Sequence, residues 1–140
     1  MKTLNLTLAL EIAGVMHLGL MCAGLMMPRV VDMRLHLAGL PPFVRHQFWV
    51  YYAFIALCLV GFGTITLVLA PALAAGGALP RALCIFFATF WTLRFAAAAF
   101  VYDMRPYLTT GYRRFGYLLL NIVFAYLPIV YAWAAWKGGR

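Results

Sequence analysis

The chain contains no serine, which excludes the chemistry of serine hydrolases. Its three acidic residues and three histidines are scattered over 140 residues, in no spacing that is typical of a metal centre. The three cysteines include no C-x-x-C pair, which a thiol oxidoreductase would need. Phosphate-binding glycine loops are also missing. The sequence therefore presents no catalytic residues and no metal site, which favours a protein that is not an enzyme.

Charged residues are scarce and apolar residues abundant. Hydrophobic residues make up 66% of the chain, charged residues 10%, and the mean hydropathy is +0.94. A membrane-spanning helix needs about 20 consecutive apolar residues. Four such runs occur, at residues 4–27, 47–69, 82–101 and 116–136, and the first is too long for the apolar part of a signal peptide. We predict an all-α integral membrane protein, with residues 1–140 forming a single antiparallel four-helix transmembrane bundle.

Basic residues are distributed unequally between the two sides of the predicted bundle. The connectors 28–46 and 102–115 carry six arginines, whereas the termini and the connector 70–81 carry four basic residues. Cytoplasmic loops of membrane proteins carry an excess of Lys and Arg. We therefore expect a multi-pass protein of the cell membrane, with both termini outside and the loops 28–46 and 102–115 in the cytoplasm.

The same six arginines are candidates for binding lipid headgroups. Those in the first connector accompany a candidate interfacial helix at residues 29–38, which Pro28 would open and Gly39 would close. Basic residues near an anionic membrane surface attract its headgroups. A simpler interpretation is that these charges only determine topology. The six candidates are Arg29, Arg34, Arg45, Arg105, Arg113 and Arg114.

Aromatic residues gather near the ends of the predicted spans. Trp49 begins the second span, while Tyr131 and Trp136 lie near the end of the fourth. Such rings favour the headgroup level of a bilayer. We expect them to anchor the bundle at the interface. A ring-lined site for a lipid or a quinone is the alternative.

Two charged residues, Glu11 and Arg94, fall inside predicted spans. A charge there costs about 2.5–3.5 kcal/mol on insertion scales, so each should have a partner or a purpose. We expect both to face the interior of the bundle. The aromatic neighbours of Arg94 on its helix, Phe87, Phe90 and Trp91, are expected to hold its guanidinium. Depth counting at about 1.5 Å per residue permits a salt bridge. It equally permits two polar layers, one of Glu11 with Thr64 and one of Arg94 with His17 and Asn121.

No cofactor is expected, although haem and quinone stay open. A bis-histidine haem needs two imidazoles at one depth on facing helices. His17 lies well inside the first span, whereas His46 lies at the start of the second. We expect His17 to be a buried neutral side chain that is hydrogen-bonded to a neighbour.

The leading functional hypothesis is an accessory or scaffold subunit without chemistry of its own. Small residues at Gly19, Gly61, Gly63 and 96–99 would allow helices to approach closely, within the chain or between chains. The expected partners are membrane lipids and other membrane protein chains or a second copy. Nucleic acid is not expected, because the net charge of +8 is divided between two membrane faces.

Residues 11–14 read E-x-x-G in the first of four spans, which resembles the first-helix glutamate motif of small multidrug resistance exporters. The resemblance covers four residues, and it implies that Glu11 binds protons or cations in a small proton- or ion-coupled transporter. This is the alternative function. A second alternative is an enzyme that handles a lipid or quinone at the cytoplasmic face, using His36, Arg45, His46 and Arg105.

Overall fold

A computed structural model describes residues 2–138, with side chains from residue 5 onward. In this part of the chain all regular structure is helical, which confirms the predicted all-α class. Four of the helices are long and apolar enough to cross a membrane, so by length and composition the chain is a multi-pass membrane protein. The helices are α1 (Lys2–Val30), α2 (Met33–Ala38), α3 (Pro42–Val68), α4 (Ala70–Ala75), α5 (Ala78–Phe100) and α6 (Gly111–Lys137).

The long helices form two antiparallel hairpins that pack side by side. One hairpin joins α1 to α3, the other joins α5 to α6, and α1 also packs on α6. Between α3 and α5 the bundle is closed by aromatic side chains, with the Phe62 ring centroid 4.8 Å from that of Phe87 and 5.2 Å from that of Phe90. The core therefore lies between the four long helices.

The candidate spans of the structure are Asn5–Val30, Pro42–Val68, Ala78–Phe100 and Gly111–Lys137, which overlap the four predicted ones. The largest differences are at the starts of α3 and α6, each of which begins five residues before the predicted span. The first turns of both helices contain polar and basic residues. These residues lower the hydropathy without interrupting the helix.

The predicted helix over residues 29–38 is divided in two. Pro28 does not open it but lies inside the last turns of α1, which continues to Val30. Asp32 then adopts the left-handed conformation, with φ 47° and ψ 43°, and the chain turns before α2 begins at Met33. Aspartate tolerates this conformation better than most residues. Arg29 and Arg34 consequently belong to different helices.

The short helix α4 was not predicted. It follows α3 after Leu69, it buries Ala70, Leu73 and Ala74, and it packs mainly on α1. Its end is marked by Gly76 with φ 85°, where a Cβ would lie 2.7 Å from the Cα of Gly138. Only glycine fits there, because both the backbone angle and the close approach exclude a side chain.

Helices α1 and α3 cross at two glycines. A Cβ on Gly14 would lie 2.5 Å from Cγ of Leu67, and a Cβ on Gly63 would lie 3.0 Å from Cβ of His17. Small residues of this kind let two membrane helices approach closely. Of the glycines expected to do so, Gly63 is used within the chain, whereas Gly19 and Gly61 face open space.

Candidate functional site

A polar cluster lies at the centre of the bundle, around His17 near the middle of α1. His17 is fully buried, its Nδ1 lies 2.7 Å from the carbonyl oxygen of Ala13, and Trp91 on α5 donates to its Nε2 across 2.9 Å. A carbonyl only accepts and an indole N–H only donates, so the imidazole carries its proton on Nδ1 and is neutral. The expectation of a buried neutral histidine agrees with this geometry.

Thr66 and Tyr131 extend this cluster to the other two long helices. Their hydroxyl oxygens are 2.7 Å apart, both side chains are fully buried, and the Tyr131 ring meets that of His17 edge-on at 6.0 Å. Tyr131 is therefore not the interfacial anchor that its position near the end of the fourth span suggested. Hydrogen bonds thus join α1 to α5 and α3 to α6, and the ring contact of Tyr131 with His17 links the two pairs, so polar groups from all four long helices meet in the packed core.

This geometry does not suit haem. Both ring nitrogens of His17 are engaged, one by Ala13 and one by Trp91, so neither is directed at an open position. His46 lies in the cleft described below, far along α3 from Gly63, which contacts His17. Within the described residues, no three His, Cys, Asp or Glu side chains are grouped as metal ligands would be.

Arg94 is half-buried beside the cluster, and aromatic rings hold its charge. Its guanidinium carbon lies 5.2 Å from the ring centroids of both Tyr102 and Phe124. Aromatic stabilisation was expected from Phe87, Phe90 and Trp91. Phe87 and Trp91 lie in the buried core instead, and Phe90 packs against that core. Nη1 of Arg94 is buried and has no hydrogen-bond partner in the described chain. Cation–π contacts are thus the interactions that stabilise this charge inside the span.

The expectation that Glu11 faces the bundle interior is wrong. Glu11 is exposed on the outer surface of α1 and forms no ion pair with Arg94 or with any other side chain among the described residues. Thr64, its expected neighbour in a polar layer, is exposed on α3. Asn121 bonds to the carbonyl of Tyr117 in its own helix across 2.8 Å rather than to Arg94 or His17. Neither of the two alternatives, the salt bridge or the pair of polar layers, is therefore present among the described residues.

Glu11 belongs to a continuous exposed stripe, which we call the outer face of α1. Its members recur every three or four residues, which places them on one side of the helix. Apart from Glu11 they are apolar or small. The outer face of α1 consists of Leu8, Glu11, Val15, Gly19, Cys22 and Met26, all exposed.

A second feature is a basic cleft where α2 meets the start of α3. It has a volume of about 500 Å³. Its basic members are Arg34 from α2 and Arg45 and His46 from α3, while Leu37 and Trp49 supply apolar walls. No carboxylate is among these lining residues. The structure thus brings together two of the six predicted headgroup arginines, and we call this feature the basic cleft.

The other headgroup candidates lie outside the basic cleft. Arg113 and Arg114 donate to carbonyl oxygens of the preceding loop, at Tyr107 and Leu108, and so help to hold that loop on α6. Arg29 lies in the last turn of α1 and Arg105 in a short 3₁₀ turn, and both are exposed. Of the residues suggested for a lipid or quinone enzyme, Arg45 and His46 line the cleft, whereas His36 and Arg105 do not.

Comparison of the chain with protein-family models, with curated proteins and with solved structures found no match. No family model therefore adds to the resemblance at residues 11–14, which still covers four residues. Function has to be argued from the outer face of α1 and from the basic cleft.

Proposed function

We propose that this protein is an accessory or scaffold subunit of a membrane complex, without chemistry of its own, and that it docks a helix of another membrane protein on the outer face of α1. The observation that carries the proposal is the exposure of Glu11 inside a membrane span. Glu11 precedes His17 by six residues, so it lies only about 9 Å along the helix from the middle of the bundle. It is thus within the hydrocarbon, whose half-thickness is about 15 Å.

A carboxylate in contact with lipid at this depth is costly, by about 2.5–3.5 kcal/mol at the centre of a helix on insertion scales. Pairing it with a basic side chain of a neighbouring helix offsets that cost. Gly19 and Cys22 leave room for such a helix to approach, since a Cβ added at Gly19 would meet nothing within 4 Å. The expected partner is a transmembrane helix with a Lys, Arg or His at the depth of Glu11.

Charge also argues against a second copy as the occupant. In a two-fold dimer through α1, with its axis along the membrane normal, the two Glu11 side chains would lie at the same depth. Two ionised carboxylates there would repel each other. A partner of opposite charge suits the face better.

The proposal extends to location. The loops 28–46 and 102–115, with their six arginines, would lie in the cytoplasm of a cell membrane protein, and both termini would lie outside. On this arrangement the basic cleft faces the cytoplasm and Glu11 lies in the outer half of the bilayer.

Charge reversal at Glu11 tests the docking. A photo-crosslinking residue is placed at Val15 in the full-length protein in its native membrane, and the crosslinked segment is identified by mass spectrometry. We expect one membrane helix with a basic residue at that depth, and a yield that falls about tenfold or more in Glu11→Lys, because removing one member of a buried charge pair strands the other. Changing the partner's basic residue to Glu should restore the crosslink to Glu11→Lys.

The same crosslinker at Leu57, which is 64% exposed on α3, is the control and should not reach that helix. Crosslinks only to lipid, or a crosslinking yield that is the same in the wild type and in Glu11→Lys, would contradict the proposal. Two native cysteines test self-association, because Cys22 lies on the outer face of α1 and Cys58 on an exposed part of α3. Efficient oxidation to a Cys22-linked dimer, lost in Cys22→Ala but not in Cys58→Ala, would show that a second copy occupies the outer face of α1. That result would contradict the docking of a different protein there.

A dimer would favour the transporter alternative. Glu11 lies outside the core of one chain, so a coupling site centred on it would have to be enclosed by two copies. The transporter function would then be tested by measuring ion flux into liposomes, which Glu11→Gln should abolish.

A further inference from the structure

We propose that the basic cleft binds a phosphate-bearing anion, and that the anion is supplied by the headgroup of an acidic membrane lipid. This site is separate from the outer face of α1, and it does not depend on the docking of a partner there. The charge, geometry and depth of the cleft each support the assignment.

The charge of the cleft is positive and is not compensated within it. Arg34 and Arg45 come from different helices, yet both line one cleft of about 500 Å³ with His46 beside them. The nearest acid along the chain, Asp32, is exposed, does not line the cleft and forms no ion pair in the described structure. Like charges brought together without a carboxylate favour an anion that lies between them.

The types of residue suit phosphate. A guanidinium presents a planar set of N–H donors that matches two phosphate oxygens, and two of them can hold one phosphate from both sides. The imidazole of His46 is a third nitrogen-bearing side chain in the cleft. By contrast, Arg113 and Arg114 have directed donors at backbone carbonyls of their own loop. Among the described residues the side chains of Arg34 and Arg45 donate to no protein acceptor, so their donors are the ones that suit an outside ligand.

Depth identifies a lipid as the source of the phosphate. Gly63 contacts His17 near the middle of the bundle, and Trp49 and His46 precede Gly63 on α3 by about 21 and 25 Å of helix. The headgroup region of a bilayer ends about 20–22 Å from its centre. Trp49 is thus at the outer edge of the headgroup region, where tryptophan still favours the interface, and His46 lies about 3 Å beyond it, so the cleft opens at the surface of the headgroup layer. The buried Leu37 offers an apolar wall to the glycerol end of the lipid.

The test measures lipid retention by the full-length protein in nanodiscs of phosphatidylcholine, with or without phosphatidylglycerol. Arg34→Gln combined with Arg45→Gln should weaken binding of the anionic lipid about 30-fold, as expected for two basic groups near the surface. The matched control is Arg113→Gln combined with Arg114→Gln. It removes the same charge from the same side of the bundle, and it should change binding by less than about threefold.

Further variants and a competition experiment test the geometry of the site and distinguish a lipid from free phosphate as the ligand. Arg34→Lys with Arg45→Lys keeps the charge but loses bidentate geometry, and it should bind between wild type and the Gln pair. If the double Gln variant does not fold, Arg34→Gln alone is measured, because Arg34 is exposed on the short α2. Equal losses in the cleft and control pairs, or no preference for phosphatidylglycerol, overturn the assignment. Displacement of the lipid by millimolar inorganic phosphate or glycerol 3-phosphate would overturn the lipid source and retain the anion site.

Discussion

Replacing Trp91 with phenylalanine should destabilise the bundle by more than the loss of one hydrogen bond. The indole Nε1 is the donor to Nε2 of His17, both side chains are buried, and no other described residue donates to that nitrogen. Leaving a buried acceptor unsatisfied costs about 1–3 kcal/mol. The smaller ring also leaves a cavity, which adds to the cost. The free energy of unfolding in detergent micelles or bicelles should fall accordingly.

A double-mutant cycle isolates the hydrogen bond from the packing. His17→Leu alone strands the Trp91 N–H, whereas His17→Leu with Trp91→Phe removes both polar groups, so the double variant should lose less stability than the two single variants together. Trp133→Phe, at a side chain that is 39% exposed and that keeps an aromatic ring beside Lys137, is the matched control and should change stability little. Additive losses at 17 and 91 would show that the bond between them does not stabilise the fold.

The class of the fold could be predicted because it depends on one property of the chain. Four apolar runs of about 20 residues, with almost no charge inside the runs, leave few structures other than membrane helices. Only helices and closed barrels satisfy the backbone in lipid. The short α4 could not be found in this way, because it is too short to span. Its signals were local ones, a proline near its start and two glycines after its end.

The candidate site was harder to predict, because depth can be counted along a helix but direction cannot. In a span that is apolar on all sides, no polar face marks the side that points outward, as it does in a soluble helix. Glu11 and Thr64 were therefore assigned inward and lie outward, while Thr66, only two residues from Thr64, lies in the core. Packing decides these directions. The close contact of Gly63 with His17 fixes the rotation of α3.

That contact makes Gly63 the glycine on α3 where a side chain should be less tolerated. A Cβ there would lie 3.0 Å from Cβ of His17 and 3.2 Å from the carbonyl oxygen of Gly14, and a leucine would add three further carbons. Overpacking of this kind costs about 1–3 kcal/mol, and more where backbone must move. We expect Gly63→Leu to lower the midpoint of thermal unfolding in detergent and to reduce the yield of folded protein.

Gly61→Leu is the control, because a Cβ at Gly61 meets nothing within 4 Å. Leucine favours a helix over glycine by up to about 1 kcal/mol, so this variant should be neutral or slightly stabilised. The two substitutions are chemically identical and two residues apart, so opposite signs can come only from the direction each position faces. Because Gly63→Leu also displaces His17, its cost should not add fully to that of Trp91→Phe. Full additivity would mean that the α1–α3 crossing and the His17–Trp91 bond are independent.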